Sequence, residues 1–371
     1  MKKLLISLLF GVCFISTTVY SESELVSRPM EGKYNMVEQF PPNGSGSVYH
    51  KNGQLRAKWS AETGTVEDGF YDENGNIVKD GPYQYYLGPI LSEEGTIKNG
   101  KPDGLWKVYY ADGILQTEWS FKDGVNGYGV SKLYYENGNI ARELEAKGAL
   151  ISDGKVTAYL KHYYPNGQLQ REVFLKNDVG DGLDREYDES GNLISEQMWH
   201  NGEKEGISTY YYKDGSKEEQ SYENNVLNGL MTLYYPNGKV KMETYAKNGI
   251  PDGPVKKYYP DGTLESEGYL KGGQQDGIVK HYYPSGKLLQ LVTFKNGILN
   301  GDTKDYYENG ELRFEATYQN GSGQGKEYYE SGKIKSEITY KNGQRNGPMK
   351  SYNEEGKLIS VQEYKDGKPL E

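Results

Sequence analysis

The chain has 371 residues and a formal net charge of −10, without any basic block. It is therefore a poor candidate for binding nucleic acid or anionic lipid. Cys13 is the only cysteine, so beyond the N-terminal segment we expect no disulfide, thiolate nucleophile or cysteine metal site. Hydrophobic residues make up only 35% of the chain, but 36 tyrosines raise the aromatic share to 13%, which indicates a folded chain with a thin, tyrosine-rich core.

Residues 1–21 have the pattern of a secretory signal peptide. Lys2 and Lys3 precede an apolar run of twelve residues, from Leu4 to Ile15, which is too short to span a bilayer as a stable helix. We therefore expect an exported protein whose final location is the periplasm, the cell surface or the medium; a retained anchor is the alternative. Residues 22–47 are interpreted as an N-terminal lead that caps the rest of the chain.

A tandem repeat begins at residue 48 and continues to residue 371. Thirteen glycines each follow a tyrosine by four positions, and most copies lie 22 to 25 residues apart. These glycines are Gly53, Gly75, Gly113, Gly138, Gly167, Gly191, Gly215, Gly238, Gly262, Gly286, Gly310, Gly332 and Gly356. A fixed period of this size predicts an array of one supersecondary unit. Residues 48–186 are irregular, with Tyr85-Tyr86-Leu87-Gly88 as a decayed copy, whereas residues 187–371 are regular.

Each copy predicts a β-hairpin. Motifs such as Tyr-Pro-Asn-Gly fit a type I turn followed by a glycine bulge, which places the tyrosine opposite the residue two after the glycine. That residue is aliphatic in twelve of the thirteen copies, with Lys217 the exception. We therefore predict a cross-strand tyrosine–aliphatic pair in each unit. Alternation along the second strand predicts that Ile338 and Tyr340 share the face of Ile334.

The opposite face is expected to carry two further columns, one of tyrosine and one of glutamate. Nine copies have a second tyrosine three before the glycine: Tyr110, Tyr135, Tyr164, Tyr212, Tyr235, Tyr259, Tyr283, Tyr307 and Tyr329. Eight copies have a glutamate five after it: Glu118, Glu143, Glu172, Glu196, Glu243, Glu267, Glu315 and Glu337. By strand parity the two columns are predicted to share one face.

A second turn closes each unit, at Asn-Gly pairs such as Asn248-Gly249 and Asn296-Gly297. No stretch has a helical apolar period with caps. The fold class predicted is all-β: an elongated tandem β-hairpin array, built as a single-layer twisted antiparallel meander of about 13 repeats.

The pattern Tyr-Tyr-x-Asn-Gly-x-Leu-x-x-Glu, followed by Asn-Gly and a further Gly, resembles the MORN repeat variant family, over nearly all of residues 48–371. Bacterial members are often described as YwqK-type antitoxins. The resemblance implies a β-hairpin array used for protein contact, either neutralising a toxin or docking another partner. It also implies no catalytic domain here, because no segment is left over to form one.

Nothing in the sequence points to catalysis. The histidines His50, His162, His200 and His281 are scattered, and the sequence contains neither a phosphate-binding loop nor calcium-loop spacing. We expect no enzyme activity, no cofactor and no metal site.

The second-tyrosine column, together with Glu243 and Glu267, is predicted to bind a partner, because tyrosine offers a large rigid contact area with a polar tip. Two structural interpretations stay open. The second tyrosines would only cover the sheet, and the glutamates would only pair with lysines and tyrosine hydroxyls. The predicted function is an exported, non-enzymatic scaffold that binds a protein through a tyrosine-rich acidic surface. An antitoxin or immunity protein and a cell-wall or glycan-binding module are the alternatives. Neither nucleic acid nor, after signal removal, an integral membrane segment is expected.

Overall fold

The computed structural model describes residues 46–60, 65–67, 69–126, 129–146, 157–177 and 179–371. The predicted signal peptide, residues 1–21, lies outside these ranges, as do residues 22–45 of the predicted lead. The first strand begins at Gly46, two residues before the predicted start of the repeats.

The described residues form strands and turns, without a helix. The strands of the first half are β1 (Gly46–Tyr49), β2 (Leu55–Ser60), β3 (Thr65–Glu67), β4 (Gly81–Leu87), β5 (Ile90–Lys98), β6 (Lys101–Pro102), β7 (Gly104–Tyr109), β8 (Leu115–Lys122), β9 (Val125–Asn126), β10 (Val130–Tyr134), β11 (Ile140–Ala146), β12 (Ala158–Tyr163), β13 (Leu169–Lys176), β14 (Val179–Tyr187), β15 (Leu193–His200) and β16 (Glu203–Lys204).

The strands of the second half repeat the same pattern of lengths. They are β17 (Gly206–Tyr211), β18 (Lys217–Glu223), β19 (Val226–Tyr234), β20 (Val240–Lys247), β21 (Ile250–Pro251), β22 (Gly253–Tyr258), β23 (Leu264–Lys271), β24 (Gln274–Gln275), β25 (Gly277–Tyr282), β26 (Leu288–Lys295), β27 (Ile298–Tyr306), β28 (Leu312–Gln319), β29 (Ser322–Tyr328), β30 (Ile334–Lys341), β31 (Gln344–Tyr352), β32 (Leu358–Lys365) and β33 (Lys368–Pro369).

These strands belong to one antiparallel sheet in which most strands pair with their neighbours along the chain. Two-residue strands such as β21 extend the pairing on the other side of a single residue outside the strands, here Asp252. The prediction of an all-β tandem hairpin array is therefore confirmed.

The first turn of each unit has the predicted geometry, and the unit at Gly167 shows it. The Tyr164 amide donates to the Gln168 carbonyl at 2.8 Å, and the Gly167 amide donates to the Tyr164 carbonyl at 2.8 Å. Gly167 has a φ of 87°, a left-handed value that glycine adopts at little cost. The loop has three residues, and Tyr163 pairs with Leu169 as predicted.

The second turn is a two-residue hairpin loop. Asn248 and Gly249 have φ values of 51° and 79°, and Lys247 pairs with Ile250 across them. Two successive positive φ values define the type I′ turn, whose twist matches that of the flanking strands. Asparagine tolerates the left-handed region better than most side chains, which explains its use there.

A one-residue bulge follows the first turn in nearly every unit and changes which side chains share a face. Tyr328 pairs with Ile334, but Glu327 pairs with Ser336, so one residue of the second strand is skipped. Beyond the bulge Glu337 lies opposite Lys326, on the face of the first tyrosine Tyr328. The prediction that the glutamates share a face with the second tyrosines is therefore wrong, as is the one that places Ile338 and Tyr340 with Ile334.

One unit lacks the bulge. Tyr211 pairs with Lys217 and Tyr210 pairs with Glu218, with no skipped residue. As a result Glu219, four residues after Gly215 rather than five, occupies the position that the glutamate column has elsewhere. This deletion also accounts for Lys217, the exception among the aliphatic residues.

The first third departs from a simple sequential meander. Strand β3 pairs with β9 and not with β4, so the first hairpin lies against strands that come later in the chain. The side chains of Phe70, Tyr83, Trp106 and Phe121 pack together there in a buried aromatic cluster, with the Phe70 and Trp106 rings stacked 5.4 Å apart. The decayed copy forms the β4–β5 hairpin.

A buried ion pair joins β2 to β5 beside this aromatic cluster, and together they are called here the N-terminal cluster. Arg56 on β2 contacts Glu93 on β5, and the two side chains are 0% and 1% exposed. Arg56 also donates from Nε to the Tyr83 hydroxyl at 3.2 Å, and its guanidinium carbon lies 3.9 Å from the centre of the Tyr85 ring. Because both charges are removed from water, each depends on the other for its electrostatic stabilisation.

We expect Glu93→Leu to destabilise the N-terminal cluster by about 3–5 kcal/mol, because it leaves the Arg56 charge buried without its counter-ion. The measurement is urea-induced unfolding followed by tryptophan fluorescence, with hydrogen exchange of β1–β8 to locate the effect. Lys335→Met is the control, because it breaks an exposed ion pair with Glu327 and should cost at most about 1 kcal/mol. Equal small effects of the two variants would contradict the assignment of Arg56 and Glu93 as a structural pair.

Candidate functional site

The two faces of the sheet differ sharply in burial. One face, called here the buried face, carries small, aliphatic and aromatic side chains that are almost inaccessible to water. Its members include Trp106, Val173, Met231, Val255, Leu270, Val279, Val292, Ala316, Tyr318 and Ile338, with Ser195, Ser208, Ser266 and Ser336 among them. The other face is called here the exposed face.

The exposed face carries a row of alternating charge that crosses the strands. In most hairpins a lysine or arginine six before the glycine lies opposite the glutamate, which in turn lies opposite the basic residue of the next unit. The row, called here the charge ladder, runs Glu94, Lys107, Glu118, Lys132, Glu143, Lys161, Glu172, Arg185, Glu196, Thr209, Glu219, Thr232, Glu243, Lys256, Glu267, Lys280, Leu291, Lys304, Glu315, Lys326, Glu337, Lys350. Its acids and bases nearly cancel, so the glutamate column does not make an acidic surface along the whole array.

Several neighbours in the charge ladder form direct ion pairs. Arg185 reaches Glu196 at 2.8 Å and Glu172 at 3.3 Å, and Lys280 reaches Glu267 at 2.9 Å. The ladder is locally acidic between Glu196 and Glu243, where threonine replaces the basic residue twice.

In ten units the side chain of the first tyrosine forms a hydrogen bond with the charge ladder of the preceding unit. Its hydroxyl donates to the glutamate of the preceding unit over 2.6 Å (Tyr109 to Glu94) to 3.3 Å (Tyr187 to Glu172). Tyr134, Tyr163, Tyr211, Tyr234, Tyr258, Tyr282, Tyr328 and Tyr352 make the same bond. Glu267 thus makes both contacts of the structural interpretation, with Lys280 and with the Tyr282 hydroxyl, whereas Glu243 accepts a bond from the Tyr258 hydroxyl.

These contacts shift the acidities of both partners. The hydrogen bond from Tyr109 holds the pKa of Glu94 below its usual range, and Lys280, followed by Tyr282, does the same for the pKa of Glu267. Partial burial, and then the bond to the neighbouring glutamate, raises the pKa of Tyr234 and of Tyr328 to about 12.

The second-tyrosine column has a different role from the first. Tyr110, Tyr135, Tyr164, Tyr235, Tyr259, Tyr283, Tyr307 and Tyr329 each donate to the backbone carbonyl of the first tyrosine in the next unit, over 2.7 to 3.1 Å. Tyr212 instead donates to Glu218 at 2.9 Å and is exposed. Eight of the nine hydroxyls thus join successive repeats, and strand parity places this column on the opposite face from Glu243 and Glu267.

Sequence reasoning missed an exposed apolar row in the middle of the chain. Two residues beyond the charge ladder, each strand places another side chain on the exposed face, and through the middle of the chain these side chains are apolar. The row, called here the apolar stripe, consists of Tyr159, Phe174, Leu183, Met198, Ile207, Leu230, Tyr245, Pro254, Tyr269 and Ile278, with Ser221 the polar residue in its course. Ile207 is 60% exposed, Tyr269 45% and Ile278 51%.

The apolar stripe stops before the array does. After Ile278 the same row continues as Thr293, Asp302, Thr317, Gln324 and Thr339. A groove of about 620 Å³ lies over this polar part, lined by Lys304, Glu315, Lys326, Glu337 and Lys350 among others. The stripe could have been found by listing the residues eight before and seven after each glycine, but without the bulge these two positions fall on opposite faces.

Within the ranges described by the structure, no group of three or more potential ligands is placed to hold a metal ion. The same residues contain no helix long and apolar enough to cross a membrane. What the exposed face does carry is an apolar stripe beside a row of alternating charge.

We expect Tyr234→Phe to destabilise its repeat by about 1 kcal/mol, because it removes the 2.8 Å bond to the partly exposed Glu219. Hydrogen exchange of β18 and β19 measures the effect. Tyr306→Phe is the matched control, since Leu291 stands where other units have the glutamate. Equal losses of protection in the two variants would show that the bond to the carboxylate is not what stabilises the unit.

The stability of the array should fall at both ends of the pH range. The pKa values of Glu94 and Glu267 are lowered, so their contribution is present above the usual value of about 4.3 and is lost as the pH falls through the lowered values. The pKa values of Tyr234 and Tyr328 are raised, so their contribution is present below about 10 and is lost as the pH rises toward 12. Free energies of unfolding across pH, with tyrosinate absorbance, measure both limits. Ionisation of every tyrosine at its ordinary pKa would contradict the alkaline limit.

Among solved structures, the crystal structure of TcdB2-TccC3 is similar at 13% identity with a TM-score of 0.17, over 86% of this chain and 20% of that chain. The crystal structure of TcdB2-TccC3 without its hypervariable C-terminal region is similar at 12% identity with a TM-score of 0.17, over 88% and 21% of the two chains. The chain thus spans about a fifth of the length of these structures. No curated protein matches it.

The MORN repeat variant family matches nine segments, which together cover more than half of the chain. They are residues 102–123, 128–147, 157–177, 227–248, 251–271, 275–296, 299–320, 322–342 and 345–366. The match includes the hairpins from residue 227 onward and most of those that carry the charge ladder and the apolar stripe, but not the hairpins of residues 187–226. The chain therefore belongs to the MORN repeat variant family.

Proposed function

We propose that this chain is an exported, non-enzymatic repeat scaffold that binds a protein partner through the apolar stripe and the charge ladder of its exposed face. The observation that carries the proposal is the stripe itself, in which residues such as Ile207, Tyr245 and Ile278 are between 44% and 60% exposed in one row that is interrupted at Ser221. A contiguous exposed apolar surface with a polar rim is characteristic of protein–protein interaction sites.

The repeats themselves argue that the stripe is not needed for folding. The units around Gly310 and Gly332 keep the same turns, tyrosines and pairing register as those around Gly238 and Gly262. Yet they place Thr317 and Thr339 where the earlier units place Tyr245 and Tyr269. The apolar residues therefore serve something other than the hairpin.

Export rests on the signal-peptide pattern of residues 1–21. Fractionation combined with protease shaving of intact cells tests it. Recovery of the mature chain outside the cytoplasm supports export, whereas a wholly cytoplasmic, unprocessed chain would remove it and favour the antitoxin reading.

We expect a photo-crosslinking residue placed at Tyr269 to capture a protein partner from envelope extracts, and the Tyr245→Lys/Tyr269→Lys variant to lose that partner, because lysine disrupts the apolar contact. Thr317→Lys/Thr339→Lys is the matched control, since it introduces the same charges in the polar part of the same row. The measurement is capture by the crosslinker, with affinity of the purified pair as confirmation.

The same experiment separates the alternatives. Capture at position 259 but not at 269 would return the site to the second-tyrosine column. Binding of peptidoglycan or other glycans without any protein would favour the cell-wall module. Full retention of the partner by Tyr245→Lys/Tyr269→Lys would overturn the proposed surface.

A further inference from the structure

The apolar stripe has a basic row along the far side of its C-terminal half, whereas toward the N-terminus the same row contains His200 and Glu223. Nine residues after the glycine, two beyond the stripe, the exposed face carries Lys247, Lys271 and Lys295 in three successive units. All three are exposed, and in the described part of the chain none is within ion-pair distance of a carboxylate. Ile250 and Ile298, opposite Lys247 and Lys295, are also exposed and widen the apolar surface toward this row.

The distance between the two charged rows, across the apolar stripe, matches the width of a helix. The ladder residue Glu243 and the flanking Lys247 are four residues apart on one strand, which corresponds to about 13 Å at the usual rise. An α-helix with its side chains is about 10–12 Å wide. A helix would therefore contact the stripe through one face while its two flanks lie against the two charged rows.

The spacing along the stripe also favours a helix over an extended segment. Neighbouring strands place stripe residues about 4.8 Å apart. A helix presents its apolar stripe at about one residue per 5.4 Å turn, whereas an extended chain repeats on one face only every 6.7 Å or so. From Met198 to Ile278 the stripe crosses eight of the longer strands, or about 34 Å, which matches a helix of about 22 residues.

Resting on the proposed function, we infer that the segment bound on the stripe is an amphipathic helix whose acidic flank lies against Lys247, Lys271 and Lys295. Apolar contact with Leu230, Tyr245, Tyr269 and Ile278 provides the affinity. The lysines fix which way the helix is turned, because a basic flank on that side would meet like charge.

Three labelled synthetic peptides of about 22 residues test this inference by fluorescence anisotropy with the mature chain. The first has leucines at helical spacing and a glutamate flank. The second replaces those glutamates by lysines. The third has the composition of the first with leucines at every second position. We expect the first to bind at least about tenfold more tightly than either of the others.

Two charge-reversed variants sharpen the test. Lys247→Glu/Lys271→Glu should invert the preference, so that the lysine-flanked peptide binds more tightly than the glutamate-flanked one. Tyr245→Lys/Tyr269→Lys should weaken the first peptide at least about tenfold, whereas Thr317→Lys/Thr339→Lys should not. Circular dichroism confirms that each variant keeps its strands.

Four results would overturn the inference. Two concern charge: equal binding of the glutamate- and lysine-flanked peptides, or an unchanged preference in Lys247→Glu/Lys271→Glu. The other two are tighter binding of the alternating peptide and no binding of any peptide. If crosslinking at Tyr269 still captures a protein in that case, the proposed function stands and only the helix is excluded. If crosslinking also fails, the proposed surface falls with it.

Discussion

The one-residue bulge after each first turn decides what the two faces of this sheet contain. Strand periodicity is two, so a single skipped residue transfers every later side chain of the second strand to the other face. In the unit at Gly332 it moves Glu337 beside the first tyrosine and turns Ile338 toward the buried face. The charge ladder, the tyrosine–glutamate bonds and the apolar stripe all depend on this shift. The unit at Gly215 supports this account, since a deleted residue there is matched by a glutamate displaced by one position.

Each repeat is stabilised by hydrogen bonds to its neighbouring repeats. The first tyrosine bonds to the glutamate behind it, and the second tyrosine bonds to the backbone ahead of it, as Tyr258 and Tyr259 do in adjacent positions. Both bonds cross a repeat boundary, so each unit is held mainly by the two beside it. Leu291 interrupts one of these series, and the boundary between its unit and the next therefore has one fewer polar contact. The buried Arg56–Glu93 pair is a different kind of contact, because it joins β2 to β5 outside the repeat pattern.

The geometry of the turns was predictable from the sequence. The sheet face on which each side chain lies, and the contacts outside the repeat pattern, were not. The turn at Gly167 and the pairing of Tyr163 with Leu169 follow from glycine's left-handed φ and from loop length, which are encoded in four adjacent residues. The bulge has no such marker, because the skipped residue varies from unit to unit and its backbone tolerates most side chains. Assigning Glu243 and Glu267 to the face of the second tyrosines failed for this reason. The contact of Arg56 with Glu93 and the pairing of β3 with β9 are both long-range features that the repeat pattern does not specify.

Because the chain contains thirteen copies of one unit, equivalent positions can be compared between repeats. Residues that every hairpin needs recur throughout, such as the tyrosine four before the glycine. Residues that only some hairpins need appear in a block, as the apolar stripe does between Tyr159 and Ile278 before it gives way to Thr317 and Thr339. An exposed tyrosine such as Tyr269 adds little to the stability of its hairpin, because equivalent hairpins form with threonine at the same position. The restriction of the apolar residues to one stretch of an otherwise continuous scaffold is therefore not a folding requirement, and it supports the docking surface proposed above.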